Sequence, residues 1–190
     1  MCNCPSPHDL FTSIDEAIDG GRWMISGVAD GPPGQSKWLY TIGLAERFRH
    51  PELVVVGVCC ASCFGWVLND LGDRVSAGER LDRATAEPLA VGTNGGLVHL
   101  RPVRAECWES DSFAVWHAYY RDKPCDAPPA DAMQVVCSDG GGRFPWEPGA
   151  DPVLAAAQQM PDTPLAGPPP NRAAQRSGAR GVASRPRYWQ

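Results

Sequence analysis

The chain has 190 residues, of which 43% are hydrophobic, and a formal net charge of −5. This length and hydrophobic fraction suit one domain with a single core plus a tail. No apolar run approaches the roughly 20 residues of a membrane helix, so we expect no membrane partner. The N-terminus lacks the features of a signal peptide, and we therefore expect a cytoplasmic protein whose eight cysteines are mostly reduced thiols.

Hydrophobic periodicity predicts helices and strands that alternate along residues 1–146. Apolar residues at helical spacing indicate the helices, and alternating or continuous apolar runs indicate the strands. The predicted elements are a helix near 10–18, a hairpin of strands 22–29 and 37–43, a strand over 53–58, a helix over 62–77, a strand over 97–104, a helix over 111–121 and a strand over 133–137. The strand over 53–58 is apolar on both faces and is predicted to be central.

These elements predict an α+β fold. We expect about five mostly antiparallel strands forming one sheet or a partly open barrel, with two or three helices packed on it. The predicted domain boundaries are 1–146 for the globular domain and 147–190 for a disordered Pro/Arg-rich tail. The tail segment contains eight prolines and almost no large apolar residue before Tyr188 and Trp189.

Charge is distributed unevenly along the chain. The last 20 residues carry five arginines and no acidic residue, so the preceding 170 residues carry a net charge of −10. This acidic body argues against a nucleic-acid surface on the folded domain. The Arg-rich tail is suited at most to weak, nonspecific contact with phosphate groups, or it is a solubilising extension.

Polar residues cluster around the predicted central strand. Because Pro51 disfavours helical backbone at His50, this segment is expected to be extended, with His50 and Glu52 on one face. An imidazole and a carboxylate so placed suit acid–base chemistry, or the carboxylate orients the ring. The candidate ligand-binding residues here are Tyr40, Thr41, Gly43, His50 and Glu52. A structural alternative stays open, in which Glu52 caps backbone amides and Tyr40 buries its ring.

The glycine-rich segment at 139–146 is the second candidate region. Its three consecutive glycines could let backbone amides cradle an anion, with Arg143 beside them. No helix is predicted to follow, so the segment is not a phosphate-binding loop. The alternative is that Trp146 folds back and seals the core. Asp139 and Trp146 are therefore candidate ligand-binding residues.

Cysteines support two further interpretations. Cys2, Cys4 and His8 could hold a metal ion, although structural zinc usually requires two ligand pairs at wider spacing. Cys60 and Cys63 could form a redox pair at the start of the predicted helix, because a helix N-terminus favours the thiolate. The alternative for these cysteines is packing as small apolar residues or exposure as thiols.

Several motifs in order support a resemblance. They are, in chain order, the N-terminal Cys-x-Cys, Tyr-Thr-Ile-Gly-Leu at 40–44, His-Pro-Glu-Leu at 50–53, the Tyr-Tyr pair at 119–120, Asp-Gly at 139–140 and Phe-Pro-Trp at 144–146. Over about residues 2–146 the chain resembles the DUF4262 family, a bacterial domain of unknown function. It departs from the family after the second cysteine, where residues 6–8 are Ser-Pro-His and include no third cysteine, which weakens any shared metal role. The resemblance implies a bacterial protein and no established activity or cofactor.

Three functional hypotheses follow. The first is a domain that binds a small molecule, in a pocket between residues 40–43 and 50–52, and whose status as an enzyme is open. A flavin-binding, split-barrel-like version of it rests on fold analogy alone. The second is a noncatalytic protein-interaction module that uses exposed Trp and Tyr side chains. The third is a small metal-binding protein that uses Cys2, Cys4 and His8.

Overall fold

One open mixed sheet with helices on both faces organises the chain. The computed structural model describes residues 6–28, 37–57, 61–82, 85, 87–92, 96–108, 113–121, 123 and 131–158. Within these residues the strands are β1 (Met24–Val28), β2 (Lys37–Ile42), β3 (Glu52–Gly57), β4 (Leu89–Val91), β5 (Gly96–Pro102) and β6 (Ala132–Cys137). The helices are α1 (Pro7–Asp19), α2 (Leu44–Phe48), α3 (Ala61–Ser76), α4 (Ala105–Trp108), α5 (Ala114–Arg121) and α6 (Pro152–Ala157).

The strand order is β1-β2-β3-β6-β5-β4. All neighbouring strands pair antiparallel except β3 and β6, which run parallel at the centre of the sheet. All six residues of β3 are buried, as its continuous apolar run predicts for a central strand. The parallel pair places the carboxyl ends of β3 and β6 side by side at one edge of the sheet.

Each face of the sheet carries its own hydrophobic core. Helices α2 and α3 cover one face, where Leu68 and Leu71 pack with Val55. Helices α1, α4 and α5 cover the other face, whose core is rich in aromatic rings around Trp108. Close packing on the first face explains Gly72, since a Cβ atom there would lie 2.1 Å from the Trp23 ring.

The predicted α+β class and the single-sheet arrangement are confirmed, but the numbers of strands and helices differ from the prediction. The described residues form six strands instead of about five, and six helices instead of two or three. The sheet is open, so the partly open barrel that was the alternative does not form. Its strand pairs are mostly antiparallel as predicted, and β3 with β6 is the one parallel pair among the described strands. The missed elements β4, α2 and α4 have three to five residues, which is too short for periodicity to show.

Helix α6 lies beyond the predicted domain boundary at residue 146. Asp151 caps it by accepting hydrogen bonds from the amides of Val153 and Leu154, and the helix contacts β3. Residues 147–158 are therefore part of the described fold. Residues 159–190 lie outside the described residues, and their disorder stays a prediction. Among the described helices, none has the length and apolar character needed to cross a bilayer.

Candidate functional site

Glu52 is the centre of the polar cluster that the sequence singles out. Its carboxylate is fully buried at the start of β3 and accepts a hydrogen bond of 2.6 Å from the Thr41 hydroxyl. It also accepts hydrogen bonds from three successive amides at the start of α2, those of Gly43 (2.9 Å), Leu44 (3.3 Å) and Ala45 (3.2 Å). Glu52 therefore supplies the side-chain cap that Gly43, the N-cap residue of α2, cannot provide.

Burial raises the pKa of the Glu52 carboxyl from 4.5 to about 7, and the hydrogen bonds from Thr41 and the α2 amides limit the rise. Thr41 also links the two strands, because its hydroxyl accepts a 2.8 Å bond from the Leu53 amide. Gly43 adopts a φ of 117°, and a Cβ atom there would lie 2.7 Å from Ile18. The glycine thus provides the tight turn from β2 into α2.

His50 is buried in a separate set of contacts. Its Nδ1 lies 2.7 Å from the Pro51 carbonyl oxygen, and its Nε2 accepts a 3.1 Å hydrogen bond from the Leu81 amide. These partners require a neutral ring with the proton on Nδ1. Burial lowers the pKa of His50, which agrees with a neutral ring. His50 thus binds the segment after α3, whereas Glu52 binds α2, and the structure shows no hydrogen bond between these two described side chains.

Replacing His50 with alanine is expected to lower the free energy of unfolding by about 2 kcal/mol. The change leaves the buried Leu81 amide without its acceptor and removes a buried ring. Urea denaturation followed by circular dichroism measures the loss. His8→Ala, at an exposed position of α1, is the control and is expected to change stability by less than about 0.5 kcal/mol. Equal effects in the two variants would show that the Leu81 contact contributes nothing.

Tyr40, Asp139 and Trp146 lie in three different surroundings. The Tyr40 ring is 1% exposed and packs against Phe113, with ring centroids 4.9 Å apart. Asp139 closes the turn after β6 by accepting hydrogen bonds from three amides and pairing with Arg143 at 3.2 Å. Trp146 is half-buried and stacks on Phe144. The structure therefore does not bring these side chains together with Glu52 around one opening.

Among the described residues, few side chains support the metal-binding hypothesis or the protein-interaction hypothesis. His8 is exposed on α1, and Cys2 and Cys4 lie outside the described residues. The part of the chain that is described contains no group of three side chains able to hold a metal ion. Its exposed large hydrophobic side chains are Trp66 and Val153. The tyrosines of the described ranges, Tyr40, Tyr119 and Tyr120, are buried.

A cavity of about 270 Å³ lies at the carboxyl ends of β3 and β6, between α3 and the end of the sheet. The sequence pattern did not predict this cavity. It is lined by Gly57, Cys63, Phe64, Val67, Val91, Gly96, Leu97, Val98, Cys137, Ser138, Gly140, Leu154 and Gln158. The available signal was the glycines at the end of β3, at the start of β5 and in the turn after β6, since small residues leave space there. In open sheets with parallel strands, ligands commonly bind outside the carboxyl ends of the strands.

Gln158 closes one end of this cavity. The pairing of β3 with β6 runs only to Val55 and Val135, although both strands continue. Beyond that point the Gln158 side chain accepts a 2.7 Å hydrogen bond from the Cys137 amide and donates a 2.9 Å bond to its carbonyl. Gln134 donates a 2.6 Å bond to the Gln158 backbone oxygen. The C-terminal end of α6 is thereby attached to the parallel strand pair.

Two cysteines line the cavity in different chemical states. Cys63, the third residue of α3, is half-buried and disulfide-bonded. Cys137, at the end of β6, is half-buried and remains a thiol. The predicted Cys60–Cys63 pair is not tested, because Cys60 lies outside the described residues. Among the described cysteines, Cys107 and Cys137 are reduced as expected, whereas Cys63 is not.

Comparison with known proteins identifies one family. The model of the family described as a domain of unknown function (DUF4262) matches residues 17–151 of this chain. This range holds the whole sheet and the polar cluster around Glu52. No curated protein and no solved structure matches the chain.

Proposed function

The chain belongs to the DUF4262 family, and from this premise we propose that its domain binds a small, mainly apolar ligand in the cavity at the carboxyl ends of β3 and β6. The observation that carries the proposal is the lining of that cavity. Phe64 and Val67 of α3, Val98 of β5 and Leu154 of α6 offer apolar surface from three sides. Ligand sites are typically concave and apolar with few polar groups.

The size and polar groups of the cavity limit the ligand. A volume of about 270 Å³ suits a compact molecule of one or two rings, since pockets for drug-sized ligands range upward from about 300 Å³. The polar side chains in the lining are Ser138 and Gln158. The Gln158 amide is already hydrogen-bonded to Cys137. Apolar contact is therefore expected to dominate affinity.

Burial of the polar cluster explains why the proposal moves away from residues 40–43 and 50–52. Tyr40, Thr41, His50 and Glu52 are each at most 2% exposed. A ligand would have to displace internal hydrogen bonds to reach Glu52 or His50, which costs free energy. The cluster instead joins β2, β3 and α2. It therefore stabilises β3, the strand whose carboxyl end borders the cavity.

Filling the cavity is expected to abolish ligand binding. In the Leu154→Trp variant a larger ring occupies the space that a ligand needs. We expect at least about tenfold weaker binding of p-xylene, a small apolar probe, than in the wild type. Calorimetric titration measures the affinity, and amide NMR shifts at Val67 and Val98 locate the probe.

The matched control is Val153→Trp, one residue earlier on α6. Val153 is 65% exposed and does not line the cavity. This variant is expected to bind p-xylene within about twofold of the wild type. Circular dichroism and melting curves verify that both variants fold. Equal binding by the two variants, or no saturable binding by the wild type, would contradict the proposal.

A further inference from the structure

We propose that Gln158 determines the specificity of the cavity, and that the ligand is a small apolar molecule with one carbonyl oxygen. The inference rests on the ligand site proposed above and names the chemical class that this site takes. It is carried by a hydrogen-bond donor of Gln158 that the described fold leaves unused beside the cavity. Gln158 belongs to the lining and is only 5% exposed, so this donor is largely removed from bulk water.

Two hydrogen bonds to Cys137 fix the orientation of the Gln158 carboxamide. Its oxygen accepts the 2.7 Å bond from the Cys137 amide, and its Nε2 donates the 2.9 Å bond to the carbonyl oxygen of the same residue. The reverse orientation would place donor against donor and acceptor against acceptor. Since the carbonyl of a strand residue follows its amide along the chain, Nε2 lies on the side nearer the carboxyl end of β6.

One N–H group of Gln158 remains after these bonds are made, because a primary carboxamide has two N–H donors. The hydrogen cis to the carboxamide oxygen reaches the Cys137 carbonyl, since the oxygen and this hydrogen bind the same strand edge. The trans hydrogen diverges from it in the carboxamide plane and points onward, toward the carboxyl end of β6. The cavity lies at that end of the strand.

No described residue accepts a hydrogen bond from this second N–H group. The neighbouring Gln134 donates to the Gln158 backbone oxygen, but its own buried Oε1 atom receives no hydrogen bond. A buried donor without an acceptor costs free energy. A ligand that brings a carbonyl oxygen removes this cost, whereas a hydrocarbon ligand leaves the donor unpaired.

Ser138 is the other polar side chain of the lining, and it is half-buried. A hydroxyl group rotates and serves as donor or acceptor, so it does not select between ligands that accept and ligands that donate hydrogen bonds. The N–H group of Gln158 only donates, and its direction is fixed by Cys137. Selectivity for an accepting oxygen is therefore assigned to Gln158.

The test compares acetophenone with α-methylstyrene, two planar molecules of the same shape that carry C=O and C=CH₂ at the same position. Each is titrated calorimetrically into the full-length wild type and into Gln158→Met, which keeps the side-chain length but has no N–H group. We expect the variant to bind acetophenone at least about tenfold more weakly than wild type, because the buried carbonyl then lacks a donor. Binding of α-methylstyrene is expected to change by less than about threefold.

Ser138→Ala is the matched control, since it removes the other polar group of the lining. It is expected to bind acetophenone within about threefold of the wild type. A measurement on the wild type alone decides the matter if Gln158→Met does not fold. In the proton–nitrogen NMR spectrum, acetophenone is expected to shift the trans Nε2 proton of Gln158 more than the cis proton, and α-methylstyrene to leave both nearly unchanged.

Three results would overturn the inference: equal effects of Gln158→Met on the two probes, loss of acetophenone binding in Ser138→Ala alone, or a trans proton that acetophenone does not shift. Binding of p-xylene involves no oxygen and separates the two proposals. If p-xylene binds while acetophenone does not bind, or binds independently of Gln158, only the ligand class is wrong. If neither p-xylene nor acetophenone binds, the ligand site itself is wrong.

Discussion

Replacing Glu52 with alanine is expected to lower the free energy of unfolding by about 3–5 kcal/mol at pH 5. The substitution leaves the Thr41 hydroxyl and the three amides at the start of α2 without their buried acceptor. Each unsatisfied buried group costs on the order of 1–3 kcal/mol. Since small domains are stable by only about 5–15 kcal/mol, this one change removes a large fraction of the total.

Chemical denaturation of Glu52→Ala against the wild type measures this loss. Glu16→Ala is the control, because Glu16 is an exposed carboxylate on α1 and its removal is expected to cost less than about 0.5 kcal/mol. Glu52→Gln, which keeps one acceptor oxygen, is expected to lie between Glu52→Ala and the wild type and serves if the alanine variant does not fold. A Glu52→Ala variant as stable as the control would show that the amides of α2 find other partners.

Stability is expected to decline as the pH rises through the range set by Glu52. The folded pKa of about 7 exceeds the ordinary value of 4.5, so between these pH values the folded state holds a proton that the unfolded state has released. The contribution of the Glu52 carboxyl to the free energy of unfolding is therefore complete below about pH 4.5 and is lost as the pH rises past 7. The difference between the folded and unfolded pKa values of Glu52 corresponds to a change of about 3 kcal/mol in the free energy of unfolding.

Two buried histidines, His50 and His99, change stability with pH in the opposite direction, so their effect must be distinguished from that of Glu52. Burial lowers the pKa of His50 and of His99 below 6.5, so their contribution falls as the pH drops below that value. Both histidines are present in wild type and in Glu52→Gln. The difference in unfolding free energy between these two proteins therefore isolates Glu52, and we expect wild type to lose about 3 kcal/mol relative to the variant between pH 4 and 8. A difference independent of pH would show that Glu52 does not titrate in this range.

The polar cluster around Glu52 shows which features a local sequence pattern can predict and which it cannot. The sequence singled out His50 and Glu52 beside a predicted central strand, but it did not predict that both side chains are buried. It did not identify their hydrogen-bond partners, because Leu81 and the amides of α2 belong to elements that periodicity does not connect to β3. The structural alternative, with Glu52 capping amides and Tyr40 buried, agrees with the observed contacts.

The sequence by itself determined the family, the α+β class, the presence of helices α1, α3 and α5, and the burial of β3. The family follows from the resemblance of several motifs in order along the chain, and the other properties follow from the spacing of apolar residues within single elements. Tertiary structure alone decided that β3 pairs in parallel with β6, that Glu52 caps α2, and that a cavity forms where the two parallel strands diverge. The reason is physical: periodicity specifies which face of an element is buried, whereas strand partners and empty volume depend on several elements distant in the chain.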